Sequence, residues 1–256
     1  MDFQTADSQA GGATVGEVRP SLDRLRVSEV YASRQGEGRL TGTPSVFIRL
    51  SGCNLRCWYC DTPHASWQPI GDWRSVSQVV DQCSEWPVRH AVITGGEPLL
   101  FPGLRQLHEM LRARGWHTTI ETAGTVLQPL ACDLMSVSPK LSASRPKETI
   151  GRWMELHDTR RWQPHVVAAL IRAALDFQLK YVVDQPDEID EVEQQLRGIA
   201  EAGWERDDRR VLIMPQGTSA EELDRRAAWL MPICGQRGWT YCDRAHIRWY
   251  GHTRGT

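Results

Sequence analysis

The chain has 256 residues, a net charge of −2, and 41% hydrophobic and 24% charged content, the make-up of an ordinary soluble globular protein. That balance leaves no electrostatic footprint for a nucleic-acid partner, and no apolar run approaches the length of a membrane span. The N-terminus lacks the basic and apolar regions of a secretory signal, so a cytoplasmic location, with neither nucleic acid nor membrane as partner, is the expectation.

Residues 1–25, "MDFQTADSQAGGATVGEVRPSLDRL", are polar and glycine-containing, which predicts a disordered N-terminal extension. Residues 26–256 are expected to form one domain. "RVSEVYA" and "SVFIRL" read as strands, then "HAVIT", "WHTTIET", "DLMSVS", "QLKYVV" and "RVLIMP". Helices are expected between them. In "PGLRQLHEMLRARG", Leu104, Leu107, Met110 and Leu111 recur at helical spacing, with Gly115 as the stop. Ser75 with Gln78, and Ser219 with Glu222, have capping-box spacing, and residues 164–177 and 186–202 complete the set. Alternating strands and helices imply a parallel sheet with right-handed crossovers. About six βα units are too few for a closed eightfold barrel, so the α/β fold is a partial barrel or an open doubly wound sheet. Residues 141–163, rich in Arg, Lys and Trp, interrupt the rhythm and are expected to be an irregular excursion.

The polar motifs fall at one end of this sheet. "SGCNLRCWYCDTPH", "TGGEP" and "SPK" each follow a predicted strand, at the carboxyl end where such sheets place their active sites. Three of the seven cysteines lie together as C-x3-C-x2-C, at Cys53, Cys57 and Cys60. Cys83, Cys132, Cys234 and Cys242 are scattered and are expected in the core. Structural zinc takes four ligands, normally in pairs. No second CxxC pair occurs, although His64 could complete a Cys3His set. A closed 4Fe–4S cluster takes four cysteines. Three thiolates on a four-iron cube would leave one iron open to a small molecule, the mark of a catalytic rather than a structural site. Arg49 stands in the apolar strand "VFIRL", where an unpaired charge is costly.

Two motifs carry a resemblance. "CNLRCWYC", with Tyr59 before the last cysteine, resembles the cluster loop of the radical S-adenosylmethionine enzymes. "TGGEP", Thr94 to Pro98, resembles the glycine-rich motif by which they hold the amino group of S-adenosylmethionine. The resemblance implies a partial, TIM-like radical S-adenosylmethionine barrel. It also implies a 4Fe–4S cluster on Cys53, Cys57 and Cys60, whose fourth iron chelates S-adenosylmethionine. Reduction then releases a 5′-deoxyadenosyl radical. The cofactors carry the hard step and the protein positions them.

Further stretches resemble one family within that group, the 7-carboxy-7-deazaguanine synthases of queuosine and deazapurine biosynthesis. They are "SRQGEGRLTGTPSVFIRLSGC", "CDTPHASW", "SVSPK" and "AHIRWYGHTRGT". The resemblance implies a lyase that converts 6-carboxy-5,6,7,8-tetrahydropterin to 7-carboxy-7-deazaguanine. Hydrogen abstraction at C6 is followed by ring contraction and loss of ammonia, S-adenosylmethionine is regenerated, and Mg²⁺ on Thr62 assists. It assigns Arg34, Gln35, Gly36, Glu37, Arg49, Thr94, His246 and Thr256 to the substrate. It assigns Trp58, Tyr59, Cys60, Gly95, Gly96, Glu97, Ser138, Pro139, Lys140, Gln178 and Lys180 to the cofactors. A homodimer and a flavodoxin or ferredoxin as electron donor are implied as well.

On this reading Arg49 pairs the pterin carboxylate, Gln35 and Glu37 read the pterin edges, and His64 is a bystander. The asparagine expected near Ala143 is missing, residues 141–163 have no counterpart, and Trp67, Trp73 and Trp86 have no role beyond packing, nor has Trp58 apart from its place inside the cluster loop. Two alternatives stand beside it: an activase of the same superfamily, whose protein substrate would not need the QGEG turn or Arg49, and a zinc-stapled binding module.

Overall fold

Strand alternation decides the architecture. The computed structural model of the protein describes residues 22–147 and 151–256. Its strands are β1 (Arg24–Arg34), β2 (Pro44–Leu50), β3 (Asp72–Ser75), β4 (His90–Gly95), β5 (His117–Thr122), β6 (Leu134–Val137), β7 (Phe177–Val183), β8 (Val211–Pro215) and β9 (Thr240–Tyr241). They form one unclosed sheet in the order β3-β1-β2-β4-β5-β6-β7-β8-β9. β1 is antiparallel to its two neighbours, β2 and β3; from β2 through β4 to β9 the strands run parallel in chain order. This is the partial barrel expected.

The helices are α1 (Val76–Cys83), α2 (Leu104–Ala113), α3 (Trp153–Arg160), α4 (Pro164–Ala173), α5 (Glu188–Glu201), α6 (Ala220–Arg237) and α7 (Ala245–Tyr250). Among the described residues no helix is long and apolar enough to cross a membrane. Alternate strand residues such as Ile48, Leu50, Ile93, Ile120, Met135, Leu179 and Ile213 join the helix-side core. Leu104, Leu107 and Leu111 of α2 are fully buried there, each contributing about 1.5–3 kcal/mol. Both capping boxes form, Ser75 with Gln78 and Ser219 with Glu222. Cys83, Cys132, Cys234 and Cys242 are buried and free.

Three expectations change. Residues 1–21 lie outside the described residues, but β1 starts at Arg24 and Leu25 is fully buried, so the end of the supposed extension belongs to the sheet. A polar sequence neighbourhood concealed one apolar anchor. The 141–163 excursion is not irregular: it holds a short turn at Ser142–Ser144 and the helix α3, although residues 148–150 lie outside the described residues. Short β3 and β9 carry too few residues to show alternation, and β5 leads to β6 without a helix.

The turn after β4 closes on the loop after β2 through backbone alone. Gly96 N–H donates to the Leu50 carbonyl at 3.1 Å and Glu97 N–H to the Gly52 carbonyl at 2.8 Å. Gly95 has φ +141, and a Cβ there would come within 2.1 Å of the Leu50 oxygen. A Cβ on Gly96 would stand 2.2 Å from the Gly52 oxygen. Both distances are impossible for any side chain, and backbone on both sides cannot rotate away. The two glycines are therefore demanded by the fold itself.

A contrasting pair of substitutions checks this picture. Gly96→Ala should destabilise by about 3 kcal/mol or more through that clash. Tyr181 is fully buried and its hydroxyl has no hydrogen-bond partner among the described residues, so Tyr181→Phe should be neutral or gain up to about 1 kcal/mol. Urea unfolding of both variants tests the order, and a Tyr181→Phe protein less stable than Gly96→Ala would contradict it.

Candidate active site

The residues on the other face of the same strands are polar. Arg49, Thr94, Glu121, Ser136 and Lys180 all line one cavity of about 470 Å³ inside the partial barrel. Strand register sets their order: Arg49 neighbours Thr94 across β2 and β4, and Glu121 neighbours Ser136 across β5 and β6. A barrel interior is usually filled with branched apolar side chains. Here it is left open and charged.

Arg49 is paired within the protein. Its Nε donates to Glu29 Oε1 at 2.6 Å and its Nη2 to the Tyr31 hydroxyl at 2.9 Å. Glu29 and Tyr31 lie on β1 opposite Arg49 and Phe47, and the Tyr31 and Phe47 rings stack at 5.2 Å. Arg254 Nε also donates to Glu29, at 2.7 Å. Burial pushes the Glu29 carboxyl up, but hydrogen bonds from the two guanidinium groups outweigh it and hold it low. Arg49 Nη1 has no protein partner among the described residues, so one edge of the guanidinium still faces the cavity.

The QGEG turn, residues 35–38, plugs the other end of the barrel. Gly36 packs so closely that a Cβ would meet His246 at 2.4 Å, and Gly38, at φ +79, would meet Gln178 at 2.4 Å. Between them Glu37 enters the cavity. It pairs with Lys180 Nζ at 2.5 Å and Arg244 Nε at 3.2 Å, with His246 Nδ1 at 3.9 Å. Burial alone would raise this carboxyl; Lys180, Arg244 and His246 together hold it well below the usual carboxylate range. Arg244 reaches further, to Asp61 and to the Gly217 carbonyl at 2.6 Å. It thereby connects the QGEG turn to the end of the cysteine loop.

Cys53, Cys57 and Cys60 are free, half-buried and on the lining of the same cavity. Burial pushes Cys53 and Cys57 up to about 12, so unliganded they are neutral thiols, and a cation must bind to make them thiolates. Leu55 N–H points at Cys53 Sγ from 3.4 Å, and Ser66 Oγ lies 3.0 Å from Cys60 Sγ. Soft sulfur ligands, one of them with a backbone N–H aimed at it, suit an iron–sulfur cluster. Among the described residues no three His, Cys, Asp or Glu side chains lie close enough together to hold a single metal ion. Trp67 Nε1 donates to the Cys57 carbonyl at 2.9 Å, which gives this tryptophan a task beyond packing.

Every residue assigned above to the substrate borders the cavity: Arg34, Gln35, Gly36, Glu37, Arg49, Thr94, His246 and Thr256. So do Tyr59, Gly95, Gly96, Ser138, Lys140, Lys180 and Thr62. Several roles change, however. Gln35 borders the cavity with its amide nitrogen committed to Ser45 Oγ at 3.1 Å and to the His90 ring. Gln178 does not border the cavity; it donates to Ser136 Oγ at 2.8 Å and accepts from Arg39 N–H at 3.0 Å.

Glu97 is fully buried outside the cavity, accepting from Thr122 Oγ1 and from the N–H groups of Leu99 and Ala123. Trp58 turns outward to the Ala143 carbonyl, and Pro139 is buried between two cavity residues that face the other way. Lys180 is an inner barrel residue bound to Glu37. His64, expected to be idle, borders the cavity with Nε2 3.6 Å from Glu29. Glu29, Tyr31, Asp61, Glu121 and Arg244 were not anticipated. For Glu29, Tyr31 and Glu121 the two-residue strand period was the available signal; for Arg244 there was none.

Comparison with known proteins agrees with this geometry. A family model described as the radical SAM superfamily matches residues 47–156. A 7-carboxy-7-deazaguanine synthase of Rhodopirellula baltica is 49% identical over 95% of this chain and 93% of its own length. One of Halobacterium salinarum is 40% identical over 95% of each chain. The crystal structure of QueE from Escherichia coli superposes with a TM-score of 0.60 over 87% of this chain and 95% of that one, at 24% identity, a likeness of fold. The chain therefore belongs to the 7-carboxy-7-deazaguanine synthase family of the radical S-adenosylmethionine superfamily, whose cofactors are a 4Fe–4S cluster and S-adenosylmethionine.

Proposed function

We propose that the protein converts 6-carboxy-5,6,7,8-tetrahydropterin to 7-carboxy-7-deazaguanine with loss of ammonia. The observation that carries the reading is a single cavity bordered by the three clustered thiols, the open edge of Arg49 and the buried Glu37 pair, in a chain whose relatives carry that enzyme's name. When bound through Cys53, Cys57 and Cys60, the cluster and S-adenosylmethionine supply the radical that takes a hydrogen atom from the substrate, with a flavodoxin or ferredoxin as electron source.

The chain's own residues bind, orient and enclose. Arg49 offers Nη1 and the remaining Nη2 hydrogen to the substrate carboxylate, its other edge being held by Glu29 and Tyr31. An arginine fixed in this way has little rotamer freedom left to lose on binding. Glu37 stays ionised and accepts from the amino or amide N–H groups of the pterin edge. Thr94 stands beside Arg49 on the neighbouring strand, and the ring of His246 closes over Gly36. Ser138 and Lys140, joined at 2.8 Å, present polar atoms to S-adenosylmethionine. Thr62 follows the last cysteine by two residues and borders the cavity, where its hydroxyl would be the protein's oxygen for Mg²⁺, a hard cation that takes oxygen donors.

Anaerobically reconstituted, reduced protein should bind iron and form the deazaguanine from the carboxy-tetrahydropterin. A protein that binds iron yet gives no such product would overturn this substrate. One that takes up zinc and no iron would overturn the enzyme. Arg49→Ala should raise KM for the pterin by roughly 10- to 100-fold while S-adenosylmethionine cleavage without substrate is unchanged. Glu29 keeps Arg254 as its partner in that variant, so an unchanged KM would remove Arg49 from carboxylate binding. Thr62→Ala should abolish magnesium stimulation at unchanged iron content; equal stimulation in variant and parent would assign the ion elsewhere.

A further inference from the structure

Residues 141–147 and 151–161, which take no part in the chemistry above, hold the outer side of the cysteine loop. Trp58 donates to this segment twice, N–H to the Ser144 carbonyl at 3.1 Å and Nε1–H to the Ala143 carbonyl at 2.8 Å. From α3, His157 Nδ1 accepts the Arg56 N–H at 3.1 Å, and Arg160 Nη1 donates to the Asn54 carbonyl at 3.4 Å. The Arg56 guanidinium covers the Trp153 ring at 3.8 Å. These contacts fall on residues between and beside Cys53 and Cys57.

His157 is fully buried, as is Ser144, and its partners dictate its chemistry. A backbone N–H can only donate, so Nδ1 carries a lone pair and the ring proton sits on Nε2. That proton goes to Ser144 Oγ, 2.9 Å away, whose own hydrogen goes to the Leu141 carbonyl at 2.6 Å. Each polar atom of the chain Arg56 N–H, His157, Ser144, Leu141 carbonyl has one role, and the ring cannot rotate without breaking two bonds. A neutral imidazole also accepts the N–H without adding negative charge beside thiolates, as a carboxylate would.

We propose that His157, oriented by Ser144, is a positioning residue for the iron–sulfur cluster. It fixes the peptide entering Arg56, and with it the span between the thiols of Cys53 and Cys57 and the Leu55 N–H aimed at Cys53 sulfur. The inference rests on reading these cysteines as cluster ligands. It makes Ala143 and Ser144 together with α3 a clasp for the loop. The clasp acts through backbone carbonyls at Ala143 and Ser144, so no asparagine side chain is needed there.

The test uses reconstituted holoprotein and reads cluster retention rather than product. The rate of cluster bleaching under an iron chelator and the hydrogen exchange of the Arg56 amide are followed in parent, His157→Ala, His157→Asn and His157→Gln, with thermal unfolding as the measure of folding. His157→Ala should speed both rates by about tenfold, the effect of one lost buried hydrogen bond. Asn places its Oδ1 where Nδ1 stood and should restore parent rates, whereas Gln reaches Ser144 instead and should resemble Ala. Equal rates in parent and His157→Ala, or equal behaviour of the Asn and Gln variants, would overturn the inference. Should His157→Ala fail to fold, the Asn–Gln contrast decides. A parent that binds no iron would overturn the cluster reading itself, while amide exchange at Arg56 in the same proteins still decides whether the clasp exists.

Discussion

The carbonyl oxygens of Leu50 and Gly52 set the separation between the cysteine loop and the turn after β4, and the site is built outward from that separation. The two segments meet backbone to backbone, with no side chain between them to yield. A cofactor held jointly by a thiol loop and a glycine turn needs the two at a fixed distance, and main-chain hydrogen bonds supply a rigid spacer. Glu97 extends the same lock by tying the turn to the end of β5 through Thr122 and Ala123. Glycine in this motif therefore answers first to the neighbouring loop. Room for a ligand follows from that.

The second organising element is charge placed inside the barrel with its partners already in position. Glu37 with Lys180 and Arg244, Arg244 with Asp61, and Glu29 with Arg49 and Arg254 form linked pairs around the cavity wall. Buried pairs of this kind add little to stability, because desolvation offsets the attraction. Their effect is orientation. Each guanidinium or carboxylate is held by at least one protein group, and Arg49 keeps Nη1 for the cavity, so a polar ligand meets groups that need no rearrangement.

Much of this was legible in the sequence, for identifiable reasons. The thiol spacing, the glycine turn and the QGEG turn are local patterns, and each borders the cavity. The period of two in "VFIRL", "HTTIET" and "QLKYVV" already separates a polar face from an apolar one, and Glu121 and Lys180 fall on it. Gln35 and Gln178 read as ligand contacts because an amide can pair with anything. Only the fold reveals that Ser45, His90, Ser136 and the Arg39 backbone occupy them first. Arg244 sits in an unremarkable stretch, and its importance comes wholly from what the chain brings to it. The excursion at 141–163 looked irrelevant for the same reason: its partners, Asn54, Arg56 and Trp58, lie about a hundred residues earlier.

Long-range closure of the barrel also bears on how the protein folds. The bonds that complete the pocket join Gly38 to Cys242, Glu37 to Arg244 and Glu29 to Arg254, across 204, 207 and 225 positions. The parallel strands, by contrast, add in chain order, each beside its predecessor. Loop-closure entropy makes contacts between distant positions the slow ones. The hydrophobic layer can thus assemble progressively while the pocket stays open, and Glu37 gains its second cation only when the final helix docks. Binding competence is in that sense a late folding event, separated in time from the acquisition of secondary structure.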